Sequence, residues 1–493
     1  MSADPIVIPP IDWSLLAPFV SLVLGGIAVT LMAVGPPSWR RHTGHAALLV
    51  LVPPAWFLWR LGSSPGGAVE TMSGMVVMDH FSIGFHALFL LTAALALLLA
   101  VPVLADARRQ HGGDSAEYDA LVLFATAGMM LMSSSTNLLI LFLGLEVLSL
   151  PLYVLVGFSR TQDRSMESSV KYFLLGAFST GFTIYGMALM YAATGTLDLS
   201  RLPEEAAEGS TLLMLGFGLT LVGFLFKIAA FPFHFWLPDV YQGAPTSVTA
   251  FMIAGTKAAA FAAVLRLVTS SPALWEGPVA DEWARLLSVL AMLTMTAGNV
   301  VALVQTDIKR MLACSSIAHA GYLMIAVVTR SGDGVAGVLY YLAAYLFMNL
   351  GAFAVVLAID RARGSHAPGD PIASYAGLAR RHPLLAAAMA LFMLSLTGVP
   401  LTGGFLGKFY IFSAAIEANL YPLAAVGLLN SALAAAYYLN VILVMYMREP
   451  QAEAPGVRLP LPLGAGIALS AAGVIYLGIF PGRFLEFART LLL

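Results

Sequence analysis

The chain has 493 residues, 59% of them hydrophobic and only 11% charged, with a formal net charge of −2 and a mean hydropathy of +0.85. A soluble domain carries about 25% charged residues, so the solvent implied here is a bilayer. The near-neutral charge argues against a nucleic-acid partner, and the single cysteine, Cys314, excludes disulfides, Cys-ligated iron–sulfur clusters and CxxC metal sites.

The opening stretch, MSADPIVIPPIDWSLL, is acidic and proline-rich with no basic segment ahead of its apolar run, so no signal peptide is expected. From there on, apolar runs recur near the length of about 20 residues that crosses the hydrocarbon core. They fall near 13–34, 46–61, 76–104, 118–133, 136–158, 168–194, 211–239, 245–268, 285–305, 310–329, 335–360, 383–413, 421–447 and 460–480. Backbone polar groups in lipid must be satisfied within the segment, so each run is predicted to be a helix. The fold class expected is an all-α polytopic membrane protein with about 14 transmembrane helices. Basic residues divide 14 to 7 between alternate loops. The positive-inside rule puts the richer set in the cytoplasm and both termini in the periplasm.

Five lysines occur in the chain, and four of them, Lys171, Lys227, Lys257 and Lys408, lie inside predicted spans. Of the acids only Glu146 lies deep in a span. At about 2.5–3.5 kcal/mol each, five such groups left unpaired would cost on the order of 12–17 kcal/mol, comparable to the stability of a whole domain. Asp307 and Lys309 read as solvated loop residues.

Two spans are interrupted. The seventh contains LFKIAAFPFHFWLP and is broken at Pro232 and Pro238; the twelfth, LSLTGVPLTGGFLGKFYIF, is broken at Gly398, Pro400, Gly403 and Gly404. Pro232 and Pro400 are 168 positions apart, and the fourth and ninth spans start a similar distance apart. This spacing predicts a five-helix unit, spans 4–8, repeated as spans 9–13. Five is odd, so the second copy enters the membrane inverted, an arrangement that puts an ion path where helices unwind. The chain then divides into 1–117 (three spans), 118–283 (first unit), 284–447 (second, inverted unit) and 448–493 (last span).

Lys227 sits too deep to snorkel, and Glu146 is its expected partner. Burial disfavours a charged lysine and a nearby carboxylate restores it, so such a pair switches when the carboxylate moves. A purely structural ion pair is the competing reading. Lys257 could take a proton from Lys227, with water or His234 between them, and Lys408 could hand it onward. His234 and His319 are possible relay members, although a lone histidine among apolar residues is as often a packed group. Lys171 is a further possible relay member, although it follows Glu167 by four residues, and an i,i+4 pair or snorkelling also accounts for it. GGFLGKF lacks the first glycine and the Ser/Thr of a phosphate loop, so no nucleotide site is expected.

LEVLSLPLYVL (145–155), FKIAAFPFHFWLPDVYQGAPTSVTAF (226–251), QTDIKRMLACSSIAHAGYL (305–323) and GVPLTGGFLGKFYIF (398–412) resemble the antiporter-like membrane subunits of respiratory complex I, NADH–quinone oxidoreductase. The resemblance runs over essentially the whole chain. It implies a proton-translocating subunit of a bacterial inner membrane, driven from a distance by quinone reduction and partnered by other membrane subunits. The family's glutamate of span five falls on Glu146, and its lysines of spans seven, eight and twelve fall on Lys227, Lys257 and Lys408. No cofactor is implied in this chain; NADH, FMN, iron–sulfur clusters and quinone belong to other subunits. Lys408 stands where one family member carries glutamate, and the long lateral helix of another is not expected. The rival readings are a cation/proton antiporter subunit of related fold, a non-pumping scaffold of the membrane arm and, more distantly, a metabolite permease. One buried acid against four lysines favours protons over a cation site.

Overall fold

The computed structural model describes residues 11–40, 42–63, 68–111, 116–202, 210–271, 275–364, 369–450 and 456–490. The first ten residues, on which the signal-peptide reading rests, lie outside the described residues. Two helices, α1 (Trp13–Val34) and α2 (Thr43–Gly62), precede a two-stranded antiparallel hairpin of β1 (Val69–Thr71) and β2 (Val76–Met78). Helices follow in the order α3 (His80–His111), α4 (Ala116–Ser133), α5 (Leu138–Val156), α6 (Asp163–Thr194), α7 (Thr211–Ile228), α8 (Trp236–Gly243), α9 (Thr246–Thr269) and α10 (Gly277–Leu303). The rest comprises α11 (Ile308–Val328), α12 (Gly332–Arg363), α13 (Pro383–Thr397), α14 (Gly403–Glu417), α15 (Tyr421–Met447), α16 (Leu461–Ile479) and α17 (Pro481–Thr490).

Among the described residues twelve helices are long and apolar enough to cross a membrane, against fourteen expected runs. The other two runs differ for physical reasons. α4, at 18 residues, opens on Glu117 and Asp119, which dilute its hydropathy. The twelfth run is divided between α13 and α14, of 15 residues each. The third run begins at His80 rather than at 76, because the buried Val76–Met78 stretch is the second strand of the hairpin. Continuous apolarity hid that boundary.

Side-chain oxygens mark where several helices begin. Asp12, Asn137, Ser210, Asp307 and Ser331 each accept a backbone N–H from the first turn of the helix they cap, satisfying donors the helix itself leaves open. In the middle of the bundle every residue in the central stretch of α9 and of α11 is buried, and 94% in α12, against 33% in α6. An outer helix meets lipid and an enclosed one meets only protein, so α9, α11 and α12 are where a polar group can be kept from lipid. Close approach comes from small residues: a Cβ built on Gly186 of α6 would lie 2.6 Å from the Gly216 carbonyl oxygen of α7.

Both interrupted helices end in left-handed turns. α7 stops at Ala229 (φ 58°), whose N–H returns to Leu225 and Phe226; α13 stops at Gly398 (φ 93°), whose N–H returns to Leu394 and Ser395. Pro232 and Pro400 lie within the two breaks, as expected. Pro238, by contrast, sits in the first turn of α8, where a missing N–H costs nothing. Gly403 and Gly404 open α14 instead of interrupting it. Gly404 is needed there because its backbone N donates to Ser395 Oγ at 3.2 Å, and a Cβ would lie 1.9 Å from the Ser395 carbonyl oxygen.

Candidate proton-relay site

Lys227 lies in the last turn of α7 and is buried. Its ammonium donates to the Tyr172 hydroxyl of α6 at 3.0 Å and sits 5.0 Å and 5.6 Å from the ring centres of Tyr172 and Tyr153. The expected ion pair with Glu146 is not formed. Glu146, half-buried on α5, instead accepts from Thr180 Oγ1 of α6 at 2.9 Å, yet lies close enough for its charge to act on Lys227. The reason is the tyrosine pair: Tyr153 and Tyr172 pack edge to face at 4.8 Å and present both rings to the cation. The Phe226 carbonyl, at the end of α7, also accepts from the Trp236 indole N–H at 3.1 Å.

Lys257, on the enclosed α9, donates to the Ser316 carbonyl of α11 and lies 5.4 Å above the Tyr345 ring of α12. One turn beyond Ser316 comes His319, also buried. Tyrosine hydroxyls hold both of its ring nitrogens, Nδ1 by Tyr341 and Nε2 by Tyr438 at 3.0 Å. The Tyr345 and Tyr322 rings close in at 5.1 Å and 5.6 Å. Tyr322 in turn is the ring over which the Lys408 ammonium sits, at 5.2 Å. Lys257, Tyr345, His319, Tyr322 and Lys408 therefore form one continuous buried row.

Lys408 uses the break in its helix directly. Its ammonium donates to the Leu396 and Thr397 carbonyls at 3.0 Å and 2.9 Å and to Ser431 Oγ at 2.9 Å. Those carbonyls belong to the last turn of α13, which the break leaves without helical partners, and a cation is favoured at that end of a helix.

Two expected relay members lie elsewhere. The His234 ring packs beside Phe231 and Phe235, at 5.6 Å and 4.4 Å, and makes no hydrogen bond or ring contact to Lys227 or Lys257 among the described residues. Lys171 pairs with Glu167 at 2.7 Å, as the spacing predicts, and also with Asp239 at 3.0 Å. Asp239 is shared with Arg310 at 2.6 Å. Asp307 and Lys309 are not solvated loop residues. Asp307 caps α11, and Lys309 is buried in its first turn, donating to the Ala244 carbonyl at 2.8 Å.

Sequence reading also missed a second buried charge. Arg266 grips Asp79 with two bonds of 2.6 Å, donates Nε to the Ser133 carbonyl at 2.8 Å and covers the Phe81 ring at 4.5 Å. Burial alone would raise the Asp79 carboxyl, but Arg266 and Ser82 outweigh it and hold it below its ordinary value. The tyrosine hydroxyls were missed too, although the doublets Tyr340–Tyr341 and Tyr437–Tyr438 on apolar helices were a visible signal.

Residues 135–434 match the family profile described as NADH:quinone oxidoreductase/Mrp antiporter, transmembrane. The chain is 45% identical over 484 residues to NADH-quinone oxidoreductase subunit N of Trichlorobacter lovleyi, covering 97% of this chain and 96% of that one. The subunit N of Salinibacter ruber is 41% identical over 497 residues, with 97% and 96% covered. Among solved structures, a chain of respiratory complex I from Thermus thermophilus with bound aureothin superposes with a TM-score of 0.80 at 36% identity, covering 95% of this chain and 98% of that one. A chain of the Mrp complex from Dietzia sp. reaches a TM-score of 0.80 at 22% identity, covering 97% and 96%, a likeness of fold alone.

Proposed function

Since the chain belongs to the membrane family shared by NADH:quinone oxidoreductase and the Mrp antiporters, on its subunit N branch, we propose that its buried lysines carry the protons this integral membrane subunit of complex I translocates. In this reading Glu146 biases Lys227, and Lys257, His319 and Lys408 pass the proton onward. The observation that carries the reading is the row from Lys257 through His319 to Lys408, enclosed by α9, α11 and α12 and lined by hydroxyl groups. A histidine with both ring nitrogens hydrogen-bonded can accept on one side while releasing on the other. Ammonium groups that rest on carbonyls, hydroxyls and rings are free to give up a proton without breaking an ion pair.

The breaks after α7 and α13 support two five-helix halves, 118–283 and 284–447, of opposite orientation. The basic loops favour a cytoplasmic face that carries Lys309, Arg310, Arg361 and Arg363, with both termini on the other side. Partners are the other membrane subunits of the complex, including neighbouring antiporter-like subunits. Reduction chemistry, with NADH, FMN, iron–sulfur clusters and quinone, belongs to other subunits. His234 and Lys171 stay outside the row.

The test is NADH-driven proton pumping measured against quinone turnover in membranes carrying Lys257→Ala or Lys227→Ala, with assembly followed on native gels. The relay predicts assembled complex with pumping lost. Assembled complex that pumps as the parent does removes both lysines from the path and leaves the scaffold role.

A further inference from the structure

A second group of ionisable side chains lies at one end of the enclosed row, outside the relay described above. Asp360, in the last turn of α12, accepts from Thr246 Oγ1 of α9 at 2.8 Å, and its carboxyl group touches that of Asp370. Asp370 is pinned in place by its own backbone. Its N–H donates to Asp307 Oδ2 at 3.0 Å, and its carbonyl accepts from Ile308 N at 2.8 Å.

Three cations are near. Arg363 stands 3.7 Å from Asp370, Lys309 has its ammonium turned to the Ala244 carbonyl, and a Cβ built on Gly369 would lie 3.4 Å from both Arg164 Nη1 and Asp307 Oδ2. Beside them lies Tyr375, 1% exposed, whose hydroxyl has no hydrogen-bond partner among the described residues. Burial, followed by the charges of Asp360, Asp370 and Asp307, keeps that hydroxyl protonated well above tyrosine's ordinary range. A buried O–H donor thus stands within the field of three carboxyls. Two carboxyl groups in contact cannot both ionise without strong repulsion, so one of them holds a proton.

What lies behind the pair gives that proton a destination. Thr246, Thr249 and Thr256 share the face of α9 that ends at Lys257, and all three are buried. Thr249 Oγ1 bonds the Tyr241 carbonyl at 2.9 Å, and the Tyr241 hydroxyl reaches Thr256. The eleven residues from Thr246 to Lys257 span about 16 Å at the helical rise.

We propose that Asp360 and Asp370 share one proton and load it onto Lys257 through water threaded between the hydroxyls of the threonine face of α9. The carboxyl O–H bond breaks, an N–H bond forms on the neutral Lys257 amine, and the pair is reprotonated from the adjoining aqueous side. This inference rests on the relay reading of Lys257.

The experiment is the pH profile of NADH-driven pumping in membranes with the assembled complex, comparing the parent with Asp360→Asn, Asp370→Asn and Lys257→Ala. Loading limits turnover only where protons are scarce. The two Asp→Asn variants are therefore expected to pump normally at acidic pH and to lose their alkaline limb about one pH unit early, the size of a common environmental shift. Lys257→Ala is expected to fail at every pH. If Lys257→Ala fails while both Asp→Asn variants follow the parent throughout, the loading site is wrong and the relay stands. If Lys257→Ala pumps normally, the relay reading fails, and this inference with it. Loss of assembly in both Asp→Asn variants overturns the loading role, because it marks the pair as structural.

Discussion

Replacing Arg266 with methionine tests how much the bundle depends on its buried ion pair. Arg266 is the only group pairing with Asp79 among the described salt bridges, and removing one partner of a buried pair costs about 3–5 kcal/mol. The Asp79 side chain keeps 21% exposure, so the lower end, about 3 kcal/mol, is expected here. Asp79→Asn/Arg266→Met removes the stranded charge, and asparagine still accepts from the Ser82 N–H that Asp79 accepts at 2.8 Å. What remains is the unpaired Ser133 carbonyl, worth about 1 kcal/mol. The double variant should therefore be more stable than the single one.

Cys314 supplies the assay, because it is the sole cysteine and is buried. A fluorogenic maleimide labels it only when the bundle opens. In nanodiscs Arg266→Met should label on the order of 100-fold faster than the parent, the equivalent of about 3 kcal/mol, and the double variant should recover most of that. Equal rates for the two variants, or a single variant labelling at the parental rate, would refute the argument from a stranded charge. The pair also has a pH signature. The Asp79 carboxyl is held down in the folded state, so its contribution is complete above the unfolded value near 4 and drains away as pH falls through the lower folded value. Corrected for the tenfold fall in thiolate per pH unit, labelling of the parent should accelerate below about pH 4, and Asp79→Asn should flatten that rise.

Four further outcomes are expected. Gly404→Ala must push α14 from the Ser395 carbonyl and should cost about 1–3 kcal/mol, read as faster Cys314 labelling. Gly181→Ala, where a Cβ meets nothing within 4 Å, should be neutral or slightly stabilising in the same assay. Asn299→Leu strands the Tyr322 and Tyr437 hydroxyls, which Asn299 bonds at 3.1 Å and 2.9 Å, and should cost about 1–3 kcal/mol for each group left unpaired. Glu167→Gln breaks an ion pair whose partners are 42% and 63% exposed and should leave pumping unchanged and stability within about 1 kcal/mol.

The helices were legible because a bilayer forces every span into the same apolar, internally bonded form, and both breaks announced themselves through Pro232, Pro400 and Gly398. The buried lysines were legible for a related reason: against such a background a charge stands out. What surrounds each lysine was not. On a helix apolar all round there is no polar face to give direction, so nothing along α7 says that Lys227 meets Tyr172 and not Glu146. Tyrosine counts among the 59% hydrophobic residues, which concealed the hydroxyls that hold His319. Lys309 and Arg266 sit at the ends of apolar runs, where hydropathy cannot separate a solvated end from one covered by a neighbouring segment.

Each of the three lysines Lys227, Lys257 and Lys408 rests over a tyrosine ring, at 5.0, 5.4 and 5.2 Å, with no carboxylate among the described residues bonded to it. A ring steadies a cation without cancelling it, so protonating such a seat adds a whole unit of charge inside the bilayer. Carrying one charge across 100 mV takes about 2.3 kcal/mol, and a seat halfway through registers about half of that. The tyrosine seats thus couple occupancy to voltage: as the membrane charges, each becomes harder to fill from the negative side.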